Sequence, residues 1–361
     1  MIDGYYRVVG VMSGSSLDGL DLAYCEFRLE NSQWHYHLEV AETIEYPEIL
    51  KRRLRNAKTF TGLRLALLNT DYGHFLGQEI QRFIEKNALT VDLVSVHGHT
   101  VFHQPERRLT LQIGDGAAIA RYMKCPVVTE FRNIDVALGG QGAPLVPIGD
   151  KLLFGDNDFH LNLGGIANIS LTQDNKITAF DVCVCNMALN YLMPPFDKDG
   201  FFASSGKLNT KLLERLNALD FFAKQPPKSL GAEWFETNLL PILEHFDCSV
   251  EDKLHTVCEH IALQISNVIN VKTGHAPSLQ EKTIMVTGGG AKNIFLMSRI
   301  KHHCACKFSE VDPRLIDFKE ALIFAFLGVL RLRGHANCLS DVTGARHDNI
   351  GGCVYSGNWE L

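Results

Sequence analysis

Val8-Val9-Gly10-Val11-Met12-Ser13-Gly14-Ser15-Ser16-Leu17-Asp18-Gly19-Leu20-Asp21-Leu22-Ala23 places apolar runs on both sides of a serine- and glycine-rich turn. Tyr5–Met12 has strand character, Ser13–Gly19 is the turn, and Leu20–Phe27 resumes the apolar pattern, so the stretch reads as a β-hairpin with a polar loop. The second half opens the same way: Phe159–Asn162 and Ile166–Leu171 flank Gly164–Gly165. A strand–glycine turn–strand unit at the head of each half is the layout of a duplicated α/β domain with a nucleotide between the halves.

Working outward, Trp34–Ile44 reads as a third strand. Leu63–Asn87 reads as a long amphipathic helix, because Leu65, Leu68, Tyr72, Phe75, Leu76, Ile80 and Phe83 recur at three- and four-residue steps. Asp92–Val96, Leu109–Ile113 and Cys125–Val128 read as short strands, with Ala117–Met123 helical. The Gly/Pro-rich stretch Gly139–Gly149 marks the domain boundary. This gives a first domain of 1–133, completed by 345–361, and a second of 134–344. In the second, a strand ends at Asp181 and a helix lies near Met187–Leu192. Ser249 and Asp252 resemble a capping box opening a helix over Val250–Asn270. Strand Thr283–Thr287 runs into Gly288–Gly290 and a helix starting near Ala291, and Phe318–Leu332 is a buried helix.

The 361 residues suit two domains, and the net charge of −6 argues against bulk nucleic-acid binding. The N-terminus lacks the basic start and apolar run of a secretory signal. Ala321–Leu330 is too short to span a bilayer. The ten cysteines are scattered, with spacings that fit neither a zinc ribbon nor a disulfide framework, so they read as reduced thiols of a cytoplasmic protein.

Three glycine loops carry the chemical signal. In the first, the glycines of Gly14–Gly19 let backbone N–H groups approach a phosphate, the serines add donors, and Asp18 or Asp21 could hold Mg²⁺ through water. The alternative is a plain hairpin turn. Asn162–Asn168 is a second such turn. In the third, Val286–Asn293, a strand delivers three glycines to a helix N-terminus, a place for a phosphate or a flat base. Asp181, at the end of an apolar strand, is a candidate general base, against the alternative of a helix cap or a core hydrogen bond. His97 and His99 share one face of an extended segment near His103, but no acid or cysteine completes a metal set.

Together these pieces resemble the anhydro-N-acetylmuramic acid kinase family, within the superfamily of sugar kinases, actin and heat-shock chaperone ATPases. The resemblance rests on Gly10–Asp21, Ser95–Val101, Leu111–Asp115, Asp135–Pro147, Asn162–Ser170 and Thr287–Asn293. It implies an α/β fold of two actin-like (ribonuclease H-like) domains flanking a nucleotide cleft, with ATP and Mg²⁺. It implies that Gly14, Ser15, Ser16, Leu17, Asp18, Gly19, Leu20 and Asp21, with Gly164 and Gly165, hold the phosphates. Gly288, Gly289, Gly290 and Asn293 fall near the adenosine. On the sugar side it implies His97, Gly98, His99, Asp115, Gln141, Gly142, Ala143, Pro144, Asn186 and Glu320.

The reaction implied is hydrolytic opening of the 1,6-anhydro bridge with phosphorylation of O6, giving N-acetylmuramic acid 6-phosphate in cell-wall recycling, with Asp181 activating the water. The implied partners are the sugar and ATP, with neither nucleic acid nor membrane; a homodimer is left open. Two departures stand out. Val182-Cys183-Val184-Cys185 replaces the family's small, turn-prone residues, and His99 stands where Gln is usual. Both segments are expected to line the sugar side. They keep a second hypothesis open: a nucleotide-binding protein of the same fold with weak or altered sugar specificity and a non-catalytic, partner-binding role.

Overall fold

The computed structural model describes residues 4–14, 17–173, 176–226, 228–273 and 281–357. In chain order the strands are β1 (Tyr5–Ser13), β2 (Leu20–Glu30), β3 (Gln33–Ile44), β4 (Leu93–Val96), β5 (His99–Gln104), β6 (Leu109–Ile113) and β7 (Val127–Thr129). They continue with β8 (Phe159–Leu163), β9 (Ile166–Gln173), β10 (Lys176–Val184), β11 (Thr283–Thr287), β12 (Lys307–Phe308) and β13 (Cys353–Tyr355). The chain forms two compact units, one made of residues up to Phe154 with Phe318 onward, the other of Gly155–Asp317.

Each unit is built on one mixed sheet. The first has the order β13-β7-β4-β1-β2-β3, the second β10-β9-β8-β11-β12. In both, three consecutive strands form an antiparallel meander, and the next two lie parallel on the far side of the first strand. The two units therefore repeat one topology, which is the duplicated α/β fold expected of the actin-like class.

Val8–Val11 of β1 are buried because both faces of the strand are covered there, while Arg7 near its start pairs with Asp92. On one side, the carbonyl of Ala321, in the helix Pro313–Leu332, comes within 2.0 Å of where a Cβ on Gly10 would sit, so only glycine admits this approach. The helix Gly62–Lys86 buries Leu68, Tyr72, Leu76, Ile80 and Phe83 in the same unit's core, and Thr61 caps its N-terminus by accepting from Arg64 N–H at 3.4 Å. In the second unit the helix Val250–Thr273 buries Leu254, Val257, Cys258, Ile261 and Ile265, and Ser249 Oγ accepts from Asp252 N–H at 3.1 Å. Among the described residues no helix is long and apolar enough to cross a membrane.

Several boundaries differ from the sequence reading. The units part at Phe154/Gly155 and Asp317/Phe318 rather than at 133/134 and 344/345. The Gly139–Gly149 stretch lies inside the first unit, and Gly140, Gly142 and Gly149 serve close packing there: Ile323 lies 2.7 Å from a Cβ built on Gly149. Strand β10 does not end at Asp181 but runs to Val184, pairing with β9 through a bulge between Asp181 and Cys183. The helix expected from Ala291 starts at Ile294, after a 3₁₀ turn over Gly289–Lys292.

Candidate functional site

In the first unit the site grows from the C-terminal end of β1. Ser13 is buried, and its Oγ accepts from Tyr46 Oη at 2.7 Å and faces His99 Nδ1 at 3.4 Å; Tyr46 Oη and Tyr72 Oη lie 2.9 Å apart. Burial, with Lys58 adding to it, lowers the His99 imidazolium to about 4, so the ring is neutral and can accept the Ser13 hydrogen. Beyond Ser13 the chain turns. Leu17 is buried with φ of 58°, a left-handed conformation that costs a residue with a Cβ. Its N–H donates to Gly14 C=O at 3.4 Å. Asp18 is exposed, Gly19 fits against the Thr43 methyl, Leu20 is buried in β2, and Asp21 accepts from Thr43 Oγ1 at 2.6 Å. Ser15 and Ser16 lie outside the described residues.

His97 is buried beside this turn. Its Nδ1–H donates to Gly98 C=O at 2.8 Å, and its Nε2 accepts from Arg132 Nε and Nη2 at 3.1 and 2.8 Å. Burial and the Arg132 charge hold it neutral, well below the usual histidine range. Because Arg132 occupies the Nε2 lone pair, His97 is a fixed wall and not a metal ligand. Arg132 Nη1 also donates to Gly142 C=O at 2.6 Å. Asp135, fully buried, takes Gly142 N–H on Oδ2 at 2.7 Å, and Thr343 Oγ1 and Asn349 Nδ2 on Oδ1, both at 2.8 Å. Gln141 N–H donates to Thr343 C=O at 2.8 Å. The loop carrying Gln141, Gly142, Ala143 and Pro144 is thus held from below by one cation and one anion. Asp115 spends its carboxylate capping the short helix Gly116–Ala120, accepting Ala118 N–H at 2.8 Å. Glu320, which follows the buried Lys319 in the helix Pro313–Leu332, is exposed.

In the second unit the register aligns Asp181 with Asn168, Asn168 with Asn162, and Asn162 with Thr287. These four residues form one row across β10, β9, β8 and β11, on one face of the sheet. Asp181 is half-buried: its Oδ2 accepts Leu230 N–H at 2.8 Å and its N–H donates to Lys228 C=O at 3.1 Å. Burial raises its carboxyl above the usual aspartate range, with the Leu230 N–H opposing. It is not a helix cap, because Cys185 holds the N-cap position of Asn186–Leu192 and no side chain caps it.

The glycine turns meet at the end of this row. Gly164 C=O accepts Asn186 N–H at 3.1 Å, and Gly165 C=O accepts Cys185 and Met187 N–H at 2.9 and 3.1 Å. Asn186 Nδ2 donates to Leu163 C=O at 2.9 Å. A Cβ on Gly164 would meet nothing nearer than 3.5 Å, and on Gly165 nothing nearer than 3.8 Å. Packing therefore does not require glycine there, and the turn is open to an approaching group. Gly288 differs: its φ is 83° and a Cβ would lie 2.4 Å from Asn162 Oδ1. A Cβ on Gly290 would strike Leu163 at 2.8 Å, while Gly289 is open, with Asn186 at 3.7 Å. Asn293 caps Ile294–His303 through Leu296 N–H at 2.9 Å.

The structure thus gathers Gly164, Gly165, Asn186, Gly288, Gly289 and Gly290 in one unit beside Asp181, and His97, Gly98 and Gly142 in the other. Asp115 and Asn293 it uses as helix caps. Val182–Cys185 do not line a sugar site as expected. All four side chains are buried in the core, which their apolar character explains, so the departure is one of packing. Sequence reading passed over Arg132, and it quoted Asn162 and Asn168 as the bounds of a glycine turn without giving either side chain a role. It quoted Asp135 but gave it no role; its place at the head of the Asp135–Pro147 stretch was the available signal. Among the described residues no group of three or more His, Cys, Asp or Glu is arranged to hold a metal.

The family model described as anhydro-N-acetylmuramic acid kinase matches residues 6–357. A protein of that description from Pseudomonas syringae pv. tomato is 35% identical, with 98% of this chain and all of the relative covered. One from Vibrio cholerae is 34% identical, with 96% of this chain and 97% of the relative covered. Among solved structures, the chain is similar to an activator of 2-hydroxyisocaproyl-CoA dehydratase from Clostridium difficile with bound ADPNP (13% identity, TM-score 0.38, 91% and 97% of the two chains). It is also similar to a hexokinase of the ROK family from Thermus thermophilus (10% identity, TM-score 0.38, 90% and 99%).

Proposed function

The chain belongs to the anhydro-N-acetylmuramic acid kinase family, and from that premise we propose that it opens 1,6-anhydro-N-acetylmuramic acid with water and phosphorylates O6 from ATP. Water adds at C1, the C1–O6 bond breaks, and O6 takes the γ-phosphoryl group, leaving ADP and N-acetylmuramic acid 6-phosphate. Asp181 accepts the proton of the attacking water. The observation that carries this role is its placement: a half-buried carboxylate, raised by desolvation and steered by Leu230 N–H, in one row with Asn168 and Asn162 beside an open glycine turn. A base with a raised pKa takes a proton more readily as C1 turns electron-poor.

In the Gly155–Asp317 unit the open Gly164–Gly165 turn suits nucleotide phosphates and the Gly288–Gly290 loop suits the adenosine; in the other unit the Ser13–Gly19 turn is a phosphate-binding turn in this reading. Asp18, exposed on a polar turn, fits a water-mediated Mg²⁺ site, the arrangement usual for an ion held chiefly by nucleotide phosphates. Mg²⁺ there would neutralise charge building on the phosphoryl oxygens. His97, Gly98 and the Gln141–Pro144 loop, fixed by Arg132 and Asp135, form a rigid wall for the sugar. Glu320 and Asn186 complete the sugar's surroundings in this reading. The protein works in the cytoplasm, where ATP is supplied. The test is product mass after reaction in heavy-oxygen water: one phosphate and one labelled oxygen at C1 are expected. A phosphorylated sugar with its bridge intact would overturn the reading.

A further inference from the structure

We propose that a cavity in the Gly155–Asp317 unit, on the opposite side of β10 from Asp181, binds a small amide-bearing carboxylate of the N-acyl amino acid class. We infer that its filling steadies the backbone holding Asp181. The second statement rests on the reading of Asp181 as the base; the first does not.

The cavity has a volume of about 580 Å³, a size suited to a small organic ligand. One wall is β10, the last strand of its sheet, which presents Phe180 and Val182 there while Asp181, one residue from each, points the other way. A second wall is the helix Val250–Thr273, through Leu263, Gln264 and Val268. The third is the chain of 217–226 together with Lys228.

Its polar groups are built rather than incidental. Asn217 Oδ1 accepts from His260 Nδ1 at 2.6 Å and from Gln264 Nε2 at 2.8 Å. The His260 ring is fully buried against Phe222, 4.9 Å between centroids, and its Nε2 has no partner among the described residues. Burial lowers its imidazolium to about 3, so the neutral ring donates from Nδ1 and locks the Asn217 amide. The Asn217 NH₂ and the Gln264 carbonyl form no hydrogen bond among the described residues, although Gln264 is only 8% exposed. A donor and an acceptor held side by side in an apolar wall match an amide group. Lys228 donates to Phe221 C=O at 3.4 Å and lies 4.6 Å from its ring, leaving hydrogens for an anion. Lys224 and Asp220 share this wall, so its net charge suits one carboxylate. Phe180, Leu219, Phe222 and Leu263 suit an apolar side chain.

The link to Asp181 is through backbone. Lys228 C=O accepts Asp181 N–H at 3.1 Å, and Leu230 N–H donates to Asp181 Oδ2 at 2.8 Å. A ligand touching Phe180, Val182 and Lys228 would restrain the residues on both sides of that carboxylate.

The experiment uses the full chain and N-acetyl-L-leucine as probe. Calorimetry should show saturable one-to-one binding. N-acetyl-L-leucinamide, which lacks the carboxylate, should bind about tenfold more weakly, as should the probe to the folded variants Lys228→Met and Gln264→Leu. Absence of saturable binding, or binding indifferent to the carboxylate and to Gln264→Leu, overturns the site. Saturating probe should also change kcat at least about twofold in the wild type and leave Gln264→Leu unaffected. Binding without any change in kcat overturns the coupling. An active Asp181→Asn variant that still binds the probe would remove the reading of Asp181 and leave the site standing.

Discussion

Asp181 and Leu230 are joined by a backbone-to-carboxylate hydrogen bond of 2.8 Å, which fixes Oδ2 and leaves Oδ1 without a partner among the described residues. An aspartate held by one oxygen on a rigid strand, with the other free, is oriented for proton transfer at a single point.

Asp181→Asn should lower kcat by roughly 10²–10⁴ with the KM for ATP little changed. Asn can still accept Leu230 N–H, so the fold is retained. Burial raises the Asp181 carboxyl in the folded state, so this group's contribution to stability is present at low pH and lost as pH rises through the raised value. Removing the charge should leave the Asn variant at least as stable as the wild type at pH 7 in a thermal melt. Near-normal turnover in that variant would exclude Asp181 as the base.

The same shift sets the acid limb of activity. The ionised form of Asp181 is the active one, and its carboxyl is raised by burial. The fall of kcat on acidification should therefore begin above the ordinary aspartate value of about 3.9. A pH–rate profile at saturating substrates checks this.

Gly165→Ala and Gly288→Ala should behave oppositely. A Cβ at Gly165 meets nothing nearer than 3.8 Å. The alanine variant should keep wild-type stability or gain up to about 1 kcal/mol, yet its KM for ATP should rise. At Gly288, φ of 83° and a Cβ 2.4 Å from Asn162 Oδ1 should cost more than about 1 kcal/mol. Urea unfolding and ATP titration of both variants separate a ligand-facing glycine from a packing one.

Asp135→Asn should destabilise the protein by about 2–3 kcal/mol. The amide would set an N–H group against donors that now converge on a carboxylate: Gly142 N–H, Thr343 Oγ1 and Asn349 Nδ2. Sugar KM should rise with it, because Gly142 loses its anchor. A variant with unchanged urea midpoint and unchanged KM would show that the Asp135 hub does not position the loop.

Acid should weaken the fold through buried histidines. Burial lowers His99 to about 4 and His260 to about 3, and lowers His97 strongly. Each is neutral when folded and protonates when unfolded. Stability is then full above the unfolded value of about 6.5 and declines as pH falls toward the folded values, by up to about 1.4 kcal/mol per pH unit for each ring. Urea midpoints between pH 7 and 5 should show this slope, reduced in His260→Gln.

The duplicated architecture was legible because both hairpins announce themselves through local chemistry: apolar runs of strand length interrupted by glycine turns at Ser13–Gly19 and Gly164–Gly165. The helix over Gly62–Lys86 was legible from its three- and four-residue spacing, and the family from long, unusual motifs. These features depend on neighbours along the chain, which a single sequence displays.

What depended on distant partners was decided only in three dimensions. Nothing near Arg132 in sequence tells that its guanidinium is spent on His97 and on Gly142 C=O. Gly149 and its neighbours read as a domain boundary because a small residue looks the same whether it bends a chain or admits a helix at 2.7 Å. Val182–Cys185 looked like a change in the site, but both faces of the chain are covered there, so all four side chains are buried whichever way they point. Asp181, Asn168, Asn162 and Thr287 come from strands up to 125 residues apart, and only the strand register sets them in one row. Composition and spacing fix which elements form; the hydrogen-bond partners of buried polar groups are chosen by packing, and those partners give Asp181 and His97 their chemistry.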